Sequence, residues 1–475
     1  MRTAQWPNLA WQGEHRTWPL LIRGYQSALG TYVGIALGPP LGGGIAGVRR
    51  SSVLLGLGLL LLLAALARRI DLERPATAFA ALLCALSPGL LFFSRTGYGF
   101  ELASRVAMLL ALVCAAPRAR VTSRRALLLA ACITLAILSR ATIAATLLPA
   151  LAVLLLDPQR RPARPALIIV GLGFVAPVAL LLTISAALGM APGTDPTAKL
   201  ALDPLAARTL LAPATLLAQL AWVVDGRTIL GPLLRSGAVG LPLVAALPGL
   251  LVLLLAARRW WHARAGDGEC MFLAAALGNA LFGAWLYGDP QQFQLGMALE
   301  PLFILALVGQ LSALTPRLRL ATCALVLALR SWQLADLLHA ERHTDNPMLG
   351  GAAQRDLVAA LPRDARLVTT AYNHVGMPET WSKGQLRPTH AWRALRRTSD
   401  PSEISRTWSA ILRTYDPRYI LLSVGPNLFE GPYTDHRAVR TGLDAALDAL
   451  HRRPLRTTNF ACESGDPCLE LIELE

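Results

Sequence analysis

The segment Trp18–Arg50 reads WPLLIRGYQSALGTYVGIALGPPLGGGIAGVRR, and whether it crosses a membrane decides how the rest of the chain is threaded. Its middle holds Gly38, Pro39, Pro40, Gly42, Gly43 and Gly44. Glycine raises the entropic cost of a helix, and proline removes a backbone donor that lipid cannot replace. The segment therefore reads as backbone at the membrane surface and not as a span. Irregular backbone is tolerated at membrane depth where it is buried in protein or lines a wet cavity. Tyr25, Gln26, Arg49 and Arg50 supply polar groups to present there. The competing reading is a kinked helix in a hairpin with the next span.

Outward from that segment the composition is that of a polytopic membrane protein, with 54% hydrophobic and 16% charged residues. A net charge of +15 would point to nucleic acid in a soluble protein. Here the arginines fall in short bursts between apolar runs, the mark of cytoplasmic loops, and a nucleic-acid partner is set aside. The fold class expected is mainly α, a polytopic helical membrane protein with a small C-terminal α/β unit.

Apolar runs long enough to cross or nearly cross a bilayer lie at 51–67, 76–94, 101–116, 166–189, 237–256, 270–287, 291–314 and 318–338. The run 126–156 carries Arg140 in its middle, where a guanidinium at the bilayer centre is costly. Two short helices meeting near a surface fit it better, which brings the count to about ten spans. Five arginine-rich loops then fall on one side, the cytoplasmic side by the positive-inside rule: those around Arg68 and Arg69, Arg118–Arg125, Arg160–Arg164, Arg258–Arg264, and Arg317 and Arg319. Three regions follow: an extracytoplasmic juxtamembrane segment at 1–50, a multi-span domain at 51–338, and a soluble extracytoplasmic α/β domain at 339–475. Within the second, 190–236 reads as an interfacial loop with a helix lying on the membrane. The third shows helical patterns at 352–361, 402–414 and 436–451 and strand-like runs at 366–371, 418–424, 455–461 and 469–474.

Cys462 and Cys468 bracket a short turn in this outer tail and are expected to form a disulfide, a two-cysteine metal site being the rival. Residues 1–17 contain Arg2, Glu14, His15 and Arg16 without an apolar core, so no signal peptide is read there. With the first fifty residues outside, a further segment is expected upstream of Met1.

The polar residues collected at the outer face are Tyr25, Gln26, Arg49, Arg50, Arg95, Glu101, Arg140, Arg227, Asp289, Gln292 and Glu300. Arginines there oppose the loop rule and call for anionic partners. The phosphate of a lipid-linked substrate is one such partner, matched by the fixed fork of guanidinium donors; lipid headgroups or local carboxylates are the alternative. Glu300, inside a membrane helix, is a functional candidate or a helix-to-helix hydrogen bond. No phosphate loop, dinucleotide fingerprint, zinc-spaced His/Cys set or nucleophile elbow is present in the sequence.

Four pieces, in order along residues 10–340, carry a family resemblance: GYQSALGTYVGIALGPPLGGGIAGVRRSSVLLGLGLLLLLAALARR, ALLCALSPGLLFFSRTGYGFE, LLLAACITLAILSRATIAATLLPALAVLLL and QQFQLGMALEPLFILAL. The sequence resembles the GT-C superfamily of membrane glycosyltransferases, in its protein O-mannosyltransferase and aminoarabinose-transferase-like branch. The resemblance implies an enzyme that takes a sugar from a polyprenyl-phosphate donor to an extracytoplasmic acceptor (glycan, lipid or protein) at the inner membrane. It implies that Tyr25 and Gln26 lie near the donor, that Glu101 is the acidic position of the second outer loop, and that Arg140 contacts the lipid phosphate. Arg49, Arg50 and Arg227 are further phosphate or lipid ligands on this view, with Gln292 and Glu300 as other site residues. Glu101 would position the sugar or a divalent metal, whose requirement is unknown.

The departure is at the start. Family members carry a first transmembrane helix and an acidic motif, commonly Asp-Glu, whose aspartate activates the acceptor. Counted back from Gly24-Tyr25-Gln26, that motif falls just before Met1, and Glu14 is its poor substitute. The alternative function is a catalytically inactive lipid-binding or scaffold membrane protein, in which the same arginines hold headgroups.

Overall fold

A computed structural model describes residues 10–12, 17–19, 21–23, 26–27, 32–33, 36–42, 44–96, 99–187, 209–226, 242–286, 293–342, 351–370, 389–391, 395, 400–424, 436–461 and 467–475. Within the glycine- and proline-rich entry segment, Tyr32, Val33, Ala36 and Leu37 are helical, and the helix is interrupted before Gly44. Strands β1 (Ala10–Gln12) and β2 (Thr17–Pro19) pair antiparallel, as do β3 (Leu21–Arg23) and β4 (Gln26–Ser27). A 3-10 turn at Pro39–Leu41 ends on Gly42, whose φ of 107° is open to glycine at no steric cost. The first long helix, α1 (Gly44–Arg69), starts seven residues ahead of the expected span at Ser51. Arg49 and Arg50 therefore belong to that helix and not to the irregular segment. The helix can begin this early because Gly47 lets it lie against the turn, where a Cβ would meet the Gly38 carbonyl oxygen at 2.3 Å.

The apolar runs are helical: α2 (Arg74–Ala85), α3 (Pro88–Thr96), α4 (Gly99–Ala115), α5 (Ser123–Ser139), α6 (Ala144–Leu156), α7 (Arg164–Ala187), α8 (Ala212–Val224), α9 (Pro242–Trp261), α10 (Asp267–Leu286), α11 (Phe293–Ser312) and α12 (Pro316–Arg342). The run 76–94 is two helices bent by 58°, because Pro88 cannot continue α2 and Ser87 Oγ accepts from Leu90 N at 3.1 Å to start α3. The run 126–156 breaks at Arg140 as expected.

About ten spans were anticipated. Among the described residues three helices, Arg49–Arg69, Arg164–Thr183 and Pro316–Ala340, are long and apolar enough to cross, or four with the bent pair counted as one. Others, such as Leu102–Ala115, Ala212–Val224 and Gly296–Ser312, are shorter. At about 1.5 Å per residue such helices fall short of a ~30 Å hydrocarbon core.

One core runs through the bundle, from Leu59 and Phe92 to Leu112, Ile133, Leu151, Trp222, Phe272 and Leu302. Leu61, Leu128, Ile168, Leu254, Leu320 and Leu325 are exposed on its outside, an apolar girdle suited to lipid. Helices α5 and α7 meet closely, with Gly173 under Ala130 and Thr134 Oγ1 donating to Gly173 O at 2.9 Å. The helix in the segment 190–236 differs from expectation. Instead of lying on a surface, α8 is buried against α9, α10 and α11, with Leu220, Trp222 and Val223 inside. Its sequence APATLLAQLAWVV is uncharged, and its two polar residues, Thr215 and Gln219, are themselves buried, the pattern of an enclosed helix and not of an interfacial one.

Beyond α12 the chain forms an α/β unit. Helix α13 (Gly351–Ala360), β5 (Leu367–Thr369), β6 (Thr389–His390), α14 (Pro401–Tyr415), β7 (Tyr419–Ser423), α15 (His436–Ala449), β8 (Pro454–Ala461) and β9 (Pro467–Leu474) follow in order. The sheet order is β6-β5-β7-β9-β8, with β5, β6 and β7 parallel and the last two strands antiparallel. Strand β7 is apolar on both faces because both are covered: Ile420 and Leu422 pack with Trp408 and Leu443, Tyr419 and Leu421 with Leu357. Among the described strands of this unit, β6 alone lacks a counterpart in the sequence reading.

Candidate active site

The two ends of the bundle carry different arginine chemistry. At one end α4 runs out, leaving carbonyls without helical donors. Four successive carbonyls are taken by three arginines, one at the end of α1, one in the first turn of α5 and one after α6. Arg69 Nη1 donates to Val113 O (3.0 Å), Arg125 Nε to Cys114 O (2.6 Å), Arg125 Nη2 to Ala115 O (2.8 Å), and Arg160 Nε to Ala116 O (2.8 Å). Arg160 is fully enclosed and also meets Asp157 at 3.0 Å and Asp267 at 2.5 Å. Nearby Arg259 pairs with Glu269 at 3.0 Å, and Arg319 donates to Ser312 O and Leu314 O. The arginine-rich loops read as topology markers are thus also the caps of the helices they join.

Arg140 lies fifteen residues beyond Arg125, about 22 Å along α5 at the rise of a helix. Its N–H closes α5 on Ala136 O (3.0 Å), its backbone turns extended at φ −162° and ψ 113°, and its carbonyl accepts from Ile143 N (3.1 Å) to open a 3-10 turn, Ala141–Ile143. The side chain is 3% exposed, so the guanidinium is held inside protein. The turn after it packs on α4, α6 and α11, and β4, which carries Gln26, packs on α5. The turn after Arg140 thus lies against α4, the helix on which Glu101 lies, and the strand of Gln26 lies against α5.

A second buried polar group sits deeper. Glu300 on α11 is 4% exposed, and its Oε1 lies 3.5 Å from Arg330 Nη2 on α12. Arg330 Nη2 also donates to Val223 O (2.6 Å), and Gln333 Nε2, one turn on, donates to Val224 O (3.0 Å), so α12 caps the end of α8. Arg105 on α4 is buried and lies in the field of Glu300, as does Cys84 on α2. Glu300 thus faces the Arg330 guanidinium, while Arg105 Nη1 reaches Met297 O, one turn before Glu300 on α11, at 3.5 Å. Arg330 Nη1 and Gln333 Oε1 are buried and have no hydrogen-bond partner among the described residues. Each buried polar atom left so costs about 1–3 kcal/mol, which marks the place for a further polar group.

Of the other expected site residues, Arg50 is exposed on α1 and its Nη1 donates to Leu41 O at 2.8 Å, tying the helix to the turn before it. Arg49 is exposed beside it. Tyr25, Arg227, Asp289, Gln292 and Cys462 lie outside the described residues, as do the side chains of Gln26, Arg95, Glu101 and Cys468. Among the described residues no group of three or more His, Cys, Asp or Glu gathers at a metal-binding distance. Arg105, Arg330 and Gln333 escaped selection as site residues. An arginine in the apolar stretch LALRSWQLADLL is singled out by the same criterion that picked Arg140.

Residues 31–185 match the family described as dolichyl-phosphate-mannose-protein mannosyltransferase. The whole fold is similar to that of ArnT from Cupriavidus metallidurans bound to undecaprenyl phosphate, at 14% identity and a TM-score of 0.54, covering 94% of this chain and 88% of that one. The apo state of the same ArnT matches at 14% identity and a TM-score of 0.50, covering 94% and 86%. No curated protein matches the chain in sequence. The helical bundle with its trailing α/β unit is thus similar in fold to ArnT, and residues 31–185 within it match the mannosyltransferase family.

Proposed function

We propose that the chain moves a sugar from a polyprenyl-phosphate carrier to an acceptor on the extracytoplasmic side of the inner membrane. The observation that carries this reading is Arg140, a guanidinium enclosed at the break between two helices of an apolar bundle. A cation held there is suited to a lipid-borne anion, and the similar ArnT structure is one bound to undecaprenyl phosphate. In the reaction an acceptor hydroxyl oxygen attacks the anomeric carbon and the bond from that carbon to the phosphate oxygen breaks. The carrier phosphate leaves with the electron pair, and the hydroxyl proton goes to a carboxylate base. Arg140 stabilises the charge that grows on the leaving phosphate, with Arg49, Arg50 and Arg227 as auxiliary headgroup ligands. Tyr25, Gln26, Glu101 and Gln292 orient the sugar, and Glu101 is the carboxylate that would hold a divalent metal. The test is native mass spectrometry of the purified full chain with undecaprenyl phosphate against an uncharged polyprenol of equal length. Selective retention of the phosphate is expected, and equal retention of both lipids removes the donor reading.

The arginine-capped end is assigned to the cytoplasm and the α/β unit to the outside, where Cys462 and Cys468 are oxidised. Peptide mapping of membranes alkylated before lysis, without reductant, is expected to recover the two cysteines as one linked species. Recovery of both as alkylated free thiols overturns that sidedness.

A further inference from the structure

Glu300, Arg330 and Gln333 are not accounted for by a phosphate site. Arg330 Nη2 is occupied by Val223 O and Glu300, and Gln333 Nε2 by Val224 O. This leaves a donor, Arg330 Nη1, and an acceptor, Gln333 Oε1, both enclosed on one face of α12 and beside a carboxylate. A guanidinium only donates, while a carboxylate and an amide oxygen only accept. A group able to do both is needed to complete them. A phosphate that only accepts cannot complete Gln333 Oε1, whereas a ring of hydroxyls donates to Glu300 and Gln333 and accepts from Arg330. The turn following Arg140 packs on α11, the helix that carries Glu300, so the cluster and the break share one wall of the bundle.

We propose that Glu300, Arg330 and Gln333 form the subsite for the hydroxyls of the sugar that the lipid carries. This rests on the polyprenyl-phosphate reading above and adds to it a division of labour: Arg140 for the phosphate, the α11–α12 cluster for the ring. Arg105, whose Nη1 donates to Met297 O at 3.5 Å, one turn before Glu300 on α11, is a positioning residue.

The test uses the full chain in lipid nanodiscs with two kinds of probe. One is undecaprenyl phosphate alone; the other is the same lipid phosphate carrying glucose, mannose or arabinose. In Glu300→Gln and Gln333→Leu, affinity for the glycosylated lipid that wild type binds best is expected to fall about tenfold or more, with affinity for the bare lipid phosphate changed less than about twofold. Arg140→Ala, by contrast, weakens both. Equal losses for both lipids would assign the cluster to scaffolding, and no loss for either would leave it filled by ordered water only; each result overturns the subsite. Wild type that binds bare lipid phosphate but none of the three glycosylated lipids also overturns it while sparing the phosphate site. Wild type that binds neither removes both. Glu300→Gln is nearly isosteric and decides the matter if Gln333→Leu is not recovered folded.

Discussion

Arg140→Ala is expected to lower affinity for undecaprenyl phosphate on the order of a hundredfold and to take sugar transfer below detection. Two charge-assisted hydrogen bonds from a buried guanidinium to a phosphate are worth about 1.5–3 kcal/mol each, and every 1.4 kcal/mol is a factor of about ten. The loss is larger for transfer than for binding, since the same donors face more negative charge as the anomeric bond breaks. Arg140→Lys keeps the charge but not the planar fork, and retains part of the binding. Neither variant should unfold the bundle. The break between α5 and α6 is made by backbone bonds, Arg140 N to Ala136 O and Ile143 N to Arg140 O, and not by the guanidinium. Scintillation proximity with labelled undecaprenyl phosphate, paired with thermal melting in the same detergent, separates the two effects. Unchanged binding in a folded Arg140→Ala protein removes the main site.

The helices were legible because membrane helices announce themselves twice, by uninterrupted apolar length and by what interrupts them. Arg140 shows this best: its cost at bilayer depth splits 126–156, and the split is there. Ser87-Pro88 carries a similar stop signal inside 76–94, a proline one residue into a new helix, and the bend at that point follows from it. The placement of α8 was less legible. Prolines around 190–236 suggest a surface loop, yet the helix within it is uncharged and is enclosed by three neighbours. In the α/β unit alternation and capping residues located the elements. Asp400 caps α14 through Ser402 N at 3.0 Å, with Pro401 at the first helical position. Strand β6 escaped because two residues, Thr389–His390, are too short to show a period.

The candidate site was legible only where a charge stood alone in an apolar run. Arg140 and Glu300 satisfied that rule, and so did Arg330, overlooked because its helix reads as one more span. What sequence could not supply is the pairing. Arg330 and Glu300 are thirty residues apart on adjoining helices, and Val223 and Val224, the acceptors for Arg330 and Gln333, lie on a third helix more than a hundred residues before those two donors. Such a cluster exists only once three helices are packed, and no local pattern encodes it.

Arginines at the capped end have a different part, and the contrast can be measured. Arg160→Met is expected to destabilise the folded chain on the order of 3 kcal/mol and to reduce the yield of folded protein, without altering affinity for undecaprenyl phosphate in the fraction that folds. Arg160 is 1% exposed and holds three groups at once: Ala116 O at 2.8 Å, Asp157 at 3.0 Å and Asp267 at 2.5 Å. Methionine fills much of the volume but leaves a helix-end carbonyl without its donor and two partly buried carboxylates facing each other. The larger part of the loss comes from those uncompensated charges and not from the contacts removed. Arg160→Met combined with Asp267→Asn should therefore recover part of the stability, since one orphaned charge is gone, and a double-mutant cycle on melting free energies in one detergent reports that recovery directly. If the single variant melts like wild type, the guanidinium is not a structural cation. If instead it weakens lipid-phosphate binding while remaining folded, the division between a capped end and a substrate end falls with it.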